Sequence, residues 1–236
     1  MIYHSIPFRI RALSRFYSQF VEPDSLCFDI GAHLGNRTKA LRRLDAKVVA
    51  VEPQPACISF LTRLFGGDPG VTIVPKAIGA KIGQGVMYLS RSTPTVSSLS
   101  LEWIQSLKGT PGFRNVQWDD MIQVEVTTLE ALIHEHGIPA FTKIDVEGYE
   151  YEALGGLEHP LKLISFEYIP AVFHRAVACL ERLSELGAYE FNWTIKERTR
   201  FVSSSWIGGT QLTEILSTMP PYHPSGDIYC RLIDSL

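Results

Sequence analysis

Short apolar runs alternate with stretches of helical periodicity along most of this chain. Residues 26–30, 47–51, 71–74 and 161–166 are compact apolar runs, and another opens at Phe141. Runs of that length without strict alternation suit strands covered on both faces in a parallel sheet. Between them apolar residues recur three or four positions apart, as in Leu34, Leu41 and Leu44, in Ile58, Leu61, Leu64 and Phe65, and in Val172, Ala176, Leu180 and Leu183. That spacing predicts helices. Pro53 and Pro55 open the second of these and Gly66-Gly67 closes it, while Thr128 and Gly137 bracket a further helix. The alternation predicts an α/β fold with a doubly wound, mostly parallel sheet. Residues 189–195 and 228–233 predict its last two strands, an antiparallel pair at one end. Ahead of the first strand, Ile6, Ile10, Leu13, Phe16, Tyr17 and Phe20 share a helical face, with Arg9, Arg11 and Arg15 between them. Residues 1–25 therefore read as an amphipathic helical segment packed on the domain or covering the mouth of its site.

Composition narrows this picture without changing it. The chain has 236 residues and no proline-, serine- or charge-rich linker divides it, so residues 26–236 are expected to form one domain. A net charge of −3 offers no general attraction to nucleic acid or to an anionic membrane, and neither is expected as a partner. No apolar run approaches the ~20 residues of a membrane span. Cys27, Cys57, Cys179 and Cys230 show no C-x-x-C spacing and are expected as buried free thiols in a cytoplasmic, reducing setting.

Chemistry enters where apolar runs end in charge. The first ends in Asp29, followed by Gly31 and Gly35 in G-x-x-x-G spacing, a tight turn into a basic helix whose Arg37, Lys39, Arg42 and Arg43 are assigned to solvent. A dinucleotide site uses G-x-G-x-x-G and a bare helix N-terminus for its pyrophosphate. A carboxylate two residues before the first glycine would repel that group and suit a cationic ligand. S-adenosylmethionine, with its sulfonium, ammonium and adenosine, meets the requirement. The second run ends in Glu52, about 20 residues after the glycine turn, the distance at which a strand-end carboxylate reaches ribose hydroxyls. After the third run, residues 75–79 read as a turn at the sheet's carboxyl edge, where Ala77 is small enough for adenine to stack over backbone.

Residues 80–126 are the least regular. Residues 86–89 and 123–126 resemble short strands around a polar insertion with Ser97, Ser98, Trp103 and Trp118. Such an insertion reads as a binding loop whose tryptophans stack on a sugar or pin the loop itself. His134 and His136 point to different sides of a helix, which argues against a shared metal. Lys143, Asp145 and Glu147 share a parity and would converge at the carboxyl edge of a central strand. His174 follows a strand end closely enough to approach a substrate or to serve the helix start alone, and residues 203–209 read as a mobile loop over the site.

The ordered blocks Phe28-Asp29-Ile30-Gly31-Ala32-His33-Leu34-Gly35-Asn36, Val51-Glu52-Pro53, Ala77-Ile78-Gly79, Ser97-Ser98-Leu99, Val126-Thr127-Thr128-Leu129 and Lys143-Ile144-Asp145-Val146-Glu147-Gly148 resemble the signature of FkbM-type methyltransferases. The resemblance covers roughly residues 26–170. It implies a seven-stranded class I (Rossmann-like) methyltransferase sheet and S-adenosylmethionine as donor, with O-methylation of a hydroxyl on a sugar, glycan or secondary metabolite. By position, Asp29, Gly31 and Gly35 then fall at the cofactor's methionine, Glu52 at its ribose and Ala77 near adenine, with Asn36 a further cofactor-binding position. Asp145 and Glu147 face the reacting end. His33 sits in the same cofactor turn as a departure from the family's pattern, with its role open.

The implied reaction is direct, in-line displacement at the sulfonium methyl. The protein must align two centres and remove the hydroxyl proton. Asp145 is the first candidate for the base and Glu147 the second. No metal is expected, although magnesium held by these acids is the chemical variant. A nicotinamide-dependent oxidoreductase and a non-catalytic binding module are the rival readings. The glycine spacing opposes the first, and the intact acids at positions 29, 52 and 145 oppose the second.

Overall fold

The computed structural model describes residues 7–110 and 112–233; Ile6, expected on the first helix, lies outside them. The elements run α1 (Pro7–Tyr17), β1 (Leu26–Ile30), α2 (Asn36–Arg42), β2 (Lys47–Val51), α3 (Pro55–Phe65), β3 (Val71–Val74), β4 (Ala77–Ile78), β5 (Gly83–Leu89), α4 (Leu101–Leu107), β6 (Asp120–Thr127), α5 (Leu129–His136), β7 (Phe141–Ile144), α6 (Glu150–Gly155), β8 (Leu163–Tyr168), α7 (Phe173–Leu186), β9 (Tyr189–Trp193), α8 (Gly209–Thr218) and β10 (Gly226–Leu232).

Seven of the described strands form one sheet in the order β3-β2-β1-β7-β8-β10-β9. All run parallel except β10, which pairs antiparallel with both β8 and β9. The strand order reverses between β1 and β7, and that crevice at the carboxyl edge is where open α/β sheets bind ligands. The expected antiparallel pair is present, with β10 inserted between β8 and the edge strand.

Alternate strand residues serve opposite faces, which is why the strands read as continuous apolar runs. Phe28, Ile30, Val49, Val51, Ile164 and Phe166 pack under the helices α5 to α8. Cys27, Val48, Phe141, Leu163 and Tyr229 pack against α1 and α2 on the other face. There α1 is seated by aromatic contacts: Phe16 meets Tyr229 at 5.4 Å between ring centroids, and Tyr17 meets Phe141 at 5.1 Å. Each buried ring of this kind stabilises the packing by roughly 1.5–3 kcal/mol. All four cysteines are buried and free.

Residues 77–127 depart from the expected turn and loop. Ala77 and Ile78 form a strand paired parallel with β6, and β5 pairs antiparallel with β6 over seven residues, giving a second, three-stranded sheet. Its alternation is plain in burial: Met87, Val124 and Val126 are buried, while Val86, Met121, Gln123 and Glu125 are exposed. The tryptophans pin this region: Trp103 is buried, and the Trp118 indole Nε1 donates to the Val96 carbonyl at 2.8 Å.

Candidate functional site

A cavity of about 1040 Å³ opens at the carboxyl edge where the strand order reverses, walled by the β1–α2 turn, the ends of β2, β7 and β8, residues of α1 and the loops around Lys196 and Pro224. Arg9, Ile10, Ala12 and Leu13 of α1 line it.

Two glycines shape the turn between β1 and α2. Gly31 has φ +79, and a Cβ there would lie 1.9 Å from the Asp145 carbonyl oxygen, so only glycine lets the neighbouring strand ends approach. A Cβ on Gly35, at φ +76, would meet the Phe65 and Leu61 side chains at 2.6 and 2.8 Å. Glycine at this position lets α2 approach α3. His33 also adopts a positive φ of +48, which turns its backbone N–H to donate to Glu52 Oε2 at 2.8 Å. The Gln54 N–H donates to Glu52 Oε1, also at 2.8 Å. Glu52 is 2% exposed at the cavity wall, and burial raises its pKa to about 7 against the lowering pull of those amides. Gly31, His33, Asn36, Glu52 and Ala77 line the cavity. Asp29 and Gly35 stand behind the wall. The Asp29 carboxylate is fully buried and accepts from Thr38 Oγ1 at 2.6 Å, so it anchors α2 to β1. Burial raises its pKa.

The opposite side is built from charges distant in sequence. Asp145 forms an ion pair with Arg37 Nη1 at 2.8 Å, with Lys143 Nζ 4.0 Å from the same Oδ2. Lys143 is completely buried; its Nζ lies 3.0 Å from Asp227 Oδ1 and donates to the Ile144 carbonyl at 3.0 Å. Burial pushes the Asp145 pKa up, but Arg37 and Lys143 outweigh it, and the carboxyl is held below its usual range. Arg37, assigned to solvent by helical spacing, instead faces the cavity.

Glu147 reaches the cavity by a route strand parity does not describe. β7 ends at Ile144, and Glu147 takes φ +52, a left-handed conformation costing about 1 kcal/mol or more in a non-glycine residue. Its surroundings hold it there. Ser98 Oγ donates to the Glu147 carbonyl at 2.6 Å, Arg175 donates to the Gly148 carbonyl at 2.7 Å, and Glu150 accepts from the Val146 and Gly148 amides. Trp103 lies directly under Gly148, where a Cβ would meet its ring at 2.1 Å. The 80–126 insertion thus braces the acid-bearing turn. Glu167, at the end of β8, brings a carboxylate oxygen within 4.8 Å of those of Asp145 and Glu147. Burial, then Glu167 and Asp145, push the Glu147 pKa well up; burial, then Asp145 and Glu150, do the same for Glu167. Three such oxygens have the donor chemistry of a divalent-cation site. Arg37 and Lys143, however, already neutralise Asp145.

Sequence reasoning did not single out Arg37, Glu167 or Asp227. For the acids a signal existed: both stand beside apolar runs at the sheet edge, and antiparallel β10 brings its first residues to the edge where the parallel strands end. Residues 203–209, expected over the site, do not border the cavity. Asn192 Nδ2 donates to the Ser203 and Ser205 carbonyls, and Phe191 and Ile207 exchange backbone hydrogen bonds. Lys196 to Arg200 line the cavity instead, and His174 does not.

This wall suits a cationic nucleoside: a buried carboxylate to accept hydroxyls at one end, three acids at the other. The sheet order is that of the class I S-adenosylmethionine-dependent methyltransferase fold. A model of the methyltransferase FkbM domain matches residues 29–188, and the chain belongs to that family. It is similar to the hexuronic acid methyltransferase AglP of Haloferax volcanii, at 24% identity over 64% of this chain, and spans 58% of the length of that protein. Among solved structures, a precorrin-6y C5,15-methyltransferase from Geobacter metallireducens has the same fold (TM-score 0.51, 12% identity, 98% of this chain and 89% of that one). A TehB-like SAM-dependent methyltransferase from Corynebacterium glutamicum matches at TM-score 0.48 and 11% identity over 95% and 89% of the two chains. Among the described residues no helix is long and apolar enough to cross a membrane.

Proposed function

We propose that this protein O-methylates a hydroxyl of a sugar or glycan, with Glu147 as the base. The observation that carries the reading is the division of one cavity into a hydroxyl-accepting end at Glu52 and an end where Glu147 and Glu167 stand without the cationic partners that occupy Asp145. When bound, S-adenosylmethionine supplies a methyl group on a cationic sulfur that leaves as a neutral thioether. The leaving group needs no proton, so the protein's tasks are orientation and removal of the acceptor's proton.

Glu52 orients the nucleoside through its ribose hydroxyls, itself held by the His33 and Gln54 amides. Gly31 and Ala77 leave space beside the chain. Asp145, kept ionised by Arg37 and Lys143, contributes a fixed negative charge and has little proton affinity to offer, which favours Glu147 over it. A carboxylate oxygen of Glu147 takes the hydroxyl proton as the new C–O bond forms, and Glu167 keeps the affinity for that proton high. The likeness to a protein named for hexuronic acid supports a sugar acceptor.

The test is calorimetric titration with S-adenosylhomocysteine, followed by mass spectrometry of a glycoside panel incubated with enzyme and S-adenosylmethionine. Binding together with gain of one methyl group on a glycoside oxygen is the expected result. Binding without methylation of any hydroxyl-bearing acceptor would refute the assignment.

A further inference from the structure

Resting on the methyl-transfer reading above, we propose that the acceptor carries an anionic group on its sugar, a carboxylate or a phosphate, and that the cavity mouth recognises it through Arg9, Arg198 and Arg200. These three side chains and Lys196 line the cavity and are exposed. Among the described residues none of the four has a carboxylate partner. Deeper cations differ: Arg37 is paired with Asp145, and Lys143 with Asp227. Of the acids lining the cavity, only Glu197 is exposed at the mouth; Glu52, Asp145, Glu147, Glu167 and Asp227 are all more enclosed. The cavity is therefore negative at its floor and positive at its mouth, in a chain whose net charge is −3.

Such segregation has a cost. Neighbouring cations repel, and Lys196 is held at φ +55, with its N–H donating to the Ser225 carbonyl at 2.6 Å. The turn so fixed places Lys196, Arg198 and Arg200 in the cavity wall. An acceptor bound at two points, with its hydroxyl at Glu147 and its anion at the mouth, would neutralise this excess. It would also be oriented along the cavity, and guanidinium groups suit carboxylate and phosphate oxygens alike. The same cations could instead serve an anionic bilayer, but the apolar face that α1 would insert is spent on the core: Ile10, Phe16 and Tyr17 are 7%, 6% and 0% exposed.

The experiment uses the full chain saturated with S-adenosylhomocysteine and titrates a glucuronic-acid-terminated disaccharide, its glucose-terminated counterpart and a glucose-6-phosphate-terminated analogue. At low ionic strength at least one charged sugar should bind ~10-fold or more tighter than the neutral one, and the gap should shrink as salt is raised. The preferred arm distinguishes carboxylate from phosphate. Arg198→Ala/Arg200→Ala should abolish the gap while leaving S-adenosylhomocysteine affinity and melting temperature unchanged. Equal affinities for charged and neutral sugars overturn the proposal, as does a gap that survives the double substitution. So does an equal loss of S-adenosylhomocysteine affinity, which would assign the rim to the cofactor's own carboxylate, or salt-sensitive binding to phosphatidylserine vesicles in place of the sugars. Failure to bind S-adenosylhomocysteine at all removes the methyl-transfer reading as well; binding it without preferring a charged sugar removes this one alone.

Discussion

The two sides of the cavity are built in different ways. On the nucleoside side, the turn after β1 and the end of β2 lie within about 25 residues of each other, and the partners are close in sequence: the His33 and Gln54 amides donate to Glu52 and the Thr38 hydroxyl to one oxygen of Asp29. On the reacting side, Arg37, Asp145, Glu147, Glu167 and Asp227 come from three separate strand ends and a helix, and their charges balance only in part. Local hydrogen bonding ties the first side to its own strand and turn. Long-range convergence gives the second carboxyls of raised proton affinity at Glu147 and Glu167, which suits proton transfer.

The sharpest way to break this division is at its seam. Gly31→Ala would drive a Cβ into the Asp145 carbonyl at an unfavourable φ, with an expected loss of about 3 kcal/mol or more in stability and no measurable S-adenosylhomocysteine binding, read by denaturant melts and calorimetry. Next, Glu147→Gln should slow single-turnover methyl transfer by ~100-fold or more while S-adenosylhomocysteine affinity holds, because only the reacting side is touched. Unchanged turnover would remove Glu147 as the base.

A smaller effect separates the sides by pH. Burial raises the Glu52 pKa to about 7, and in the proposed reading it is the ionised form that accepts the ribose hydroxyls. Below that pH a proton must leave before binding, so S-adenosylhomocysteine affinity should fall by about tenfold per pH unit as pH drops from 7, and stay level above it. Glu52→Gln should weaken binding and flatten the dependence; a dependence that persists in that variant would place the titrating group elsewhere. The smallest effect expected is none. Excess EDTA should leave turnover unaltered, because Arg37 and Lys143 already supply the positive charge beside Asp145.

Much of the nucleoside side was legible beforehand because its information is local: a run ending in an acid, two glycines, and a second acid about 20 residues on. Even there, strand parity does not say which of two buried faces a side chain meets, and Asp29 accepts from Thr38 behind the cavity wall. The second sheet was legible only as fragments, because β4 pairs with β6 across some 50 residues and the intervening polarity belongs to an exposed face. Arg37 shows the same limit. Its helical phase is that of a solvent-facing residue, and only the arrival of β7 beside β1 gives it the Asp145 carboxylate as a partner.

From its residues alone this chain specified an alternating α/β architecture, buried thiols, a glycine turn that disfavours a pyrophosphate, and the residue blocks that place it among FkbM methyltransferases. Those are properties of short segments, set by backbone sterics and by the period of apolar burial. The tertiary structure decided which acids share a cavity, which of them a cation neutralises, and which loop lines its mouth. Charge coupling depends on distances of a few ångströms between residues up to 190 positions apart, as between Arg37 and Asp227, and no local pattern encodes such distances.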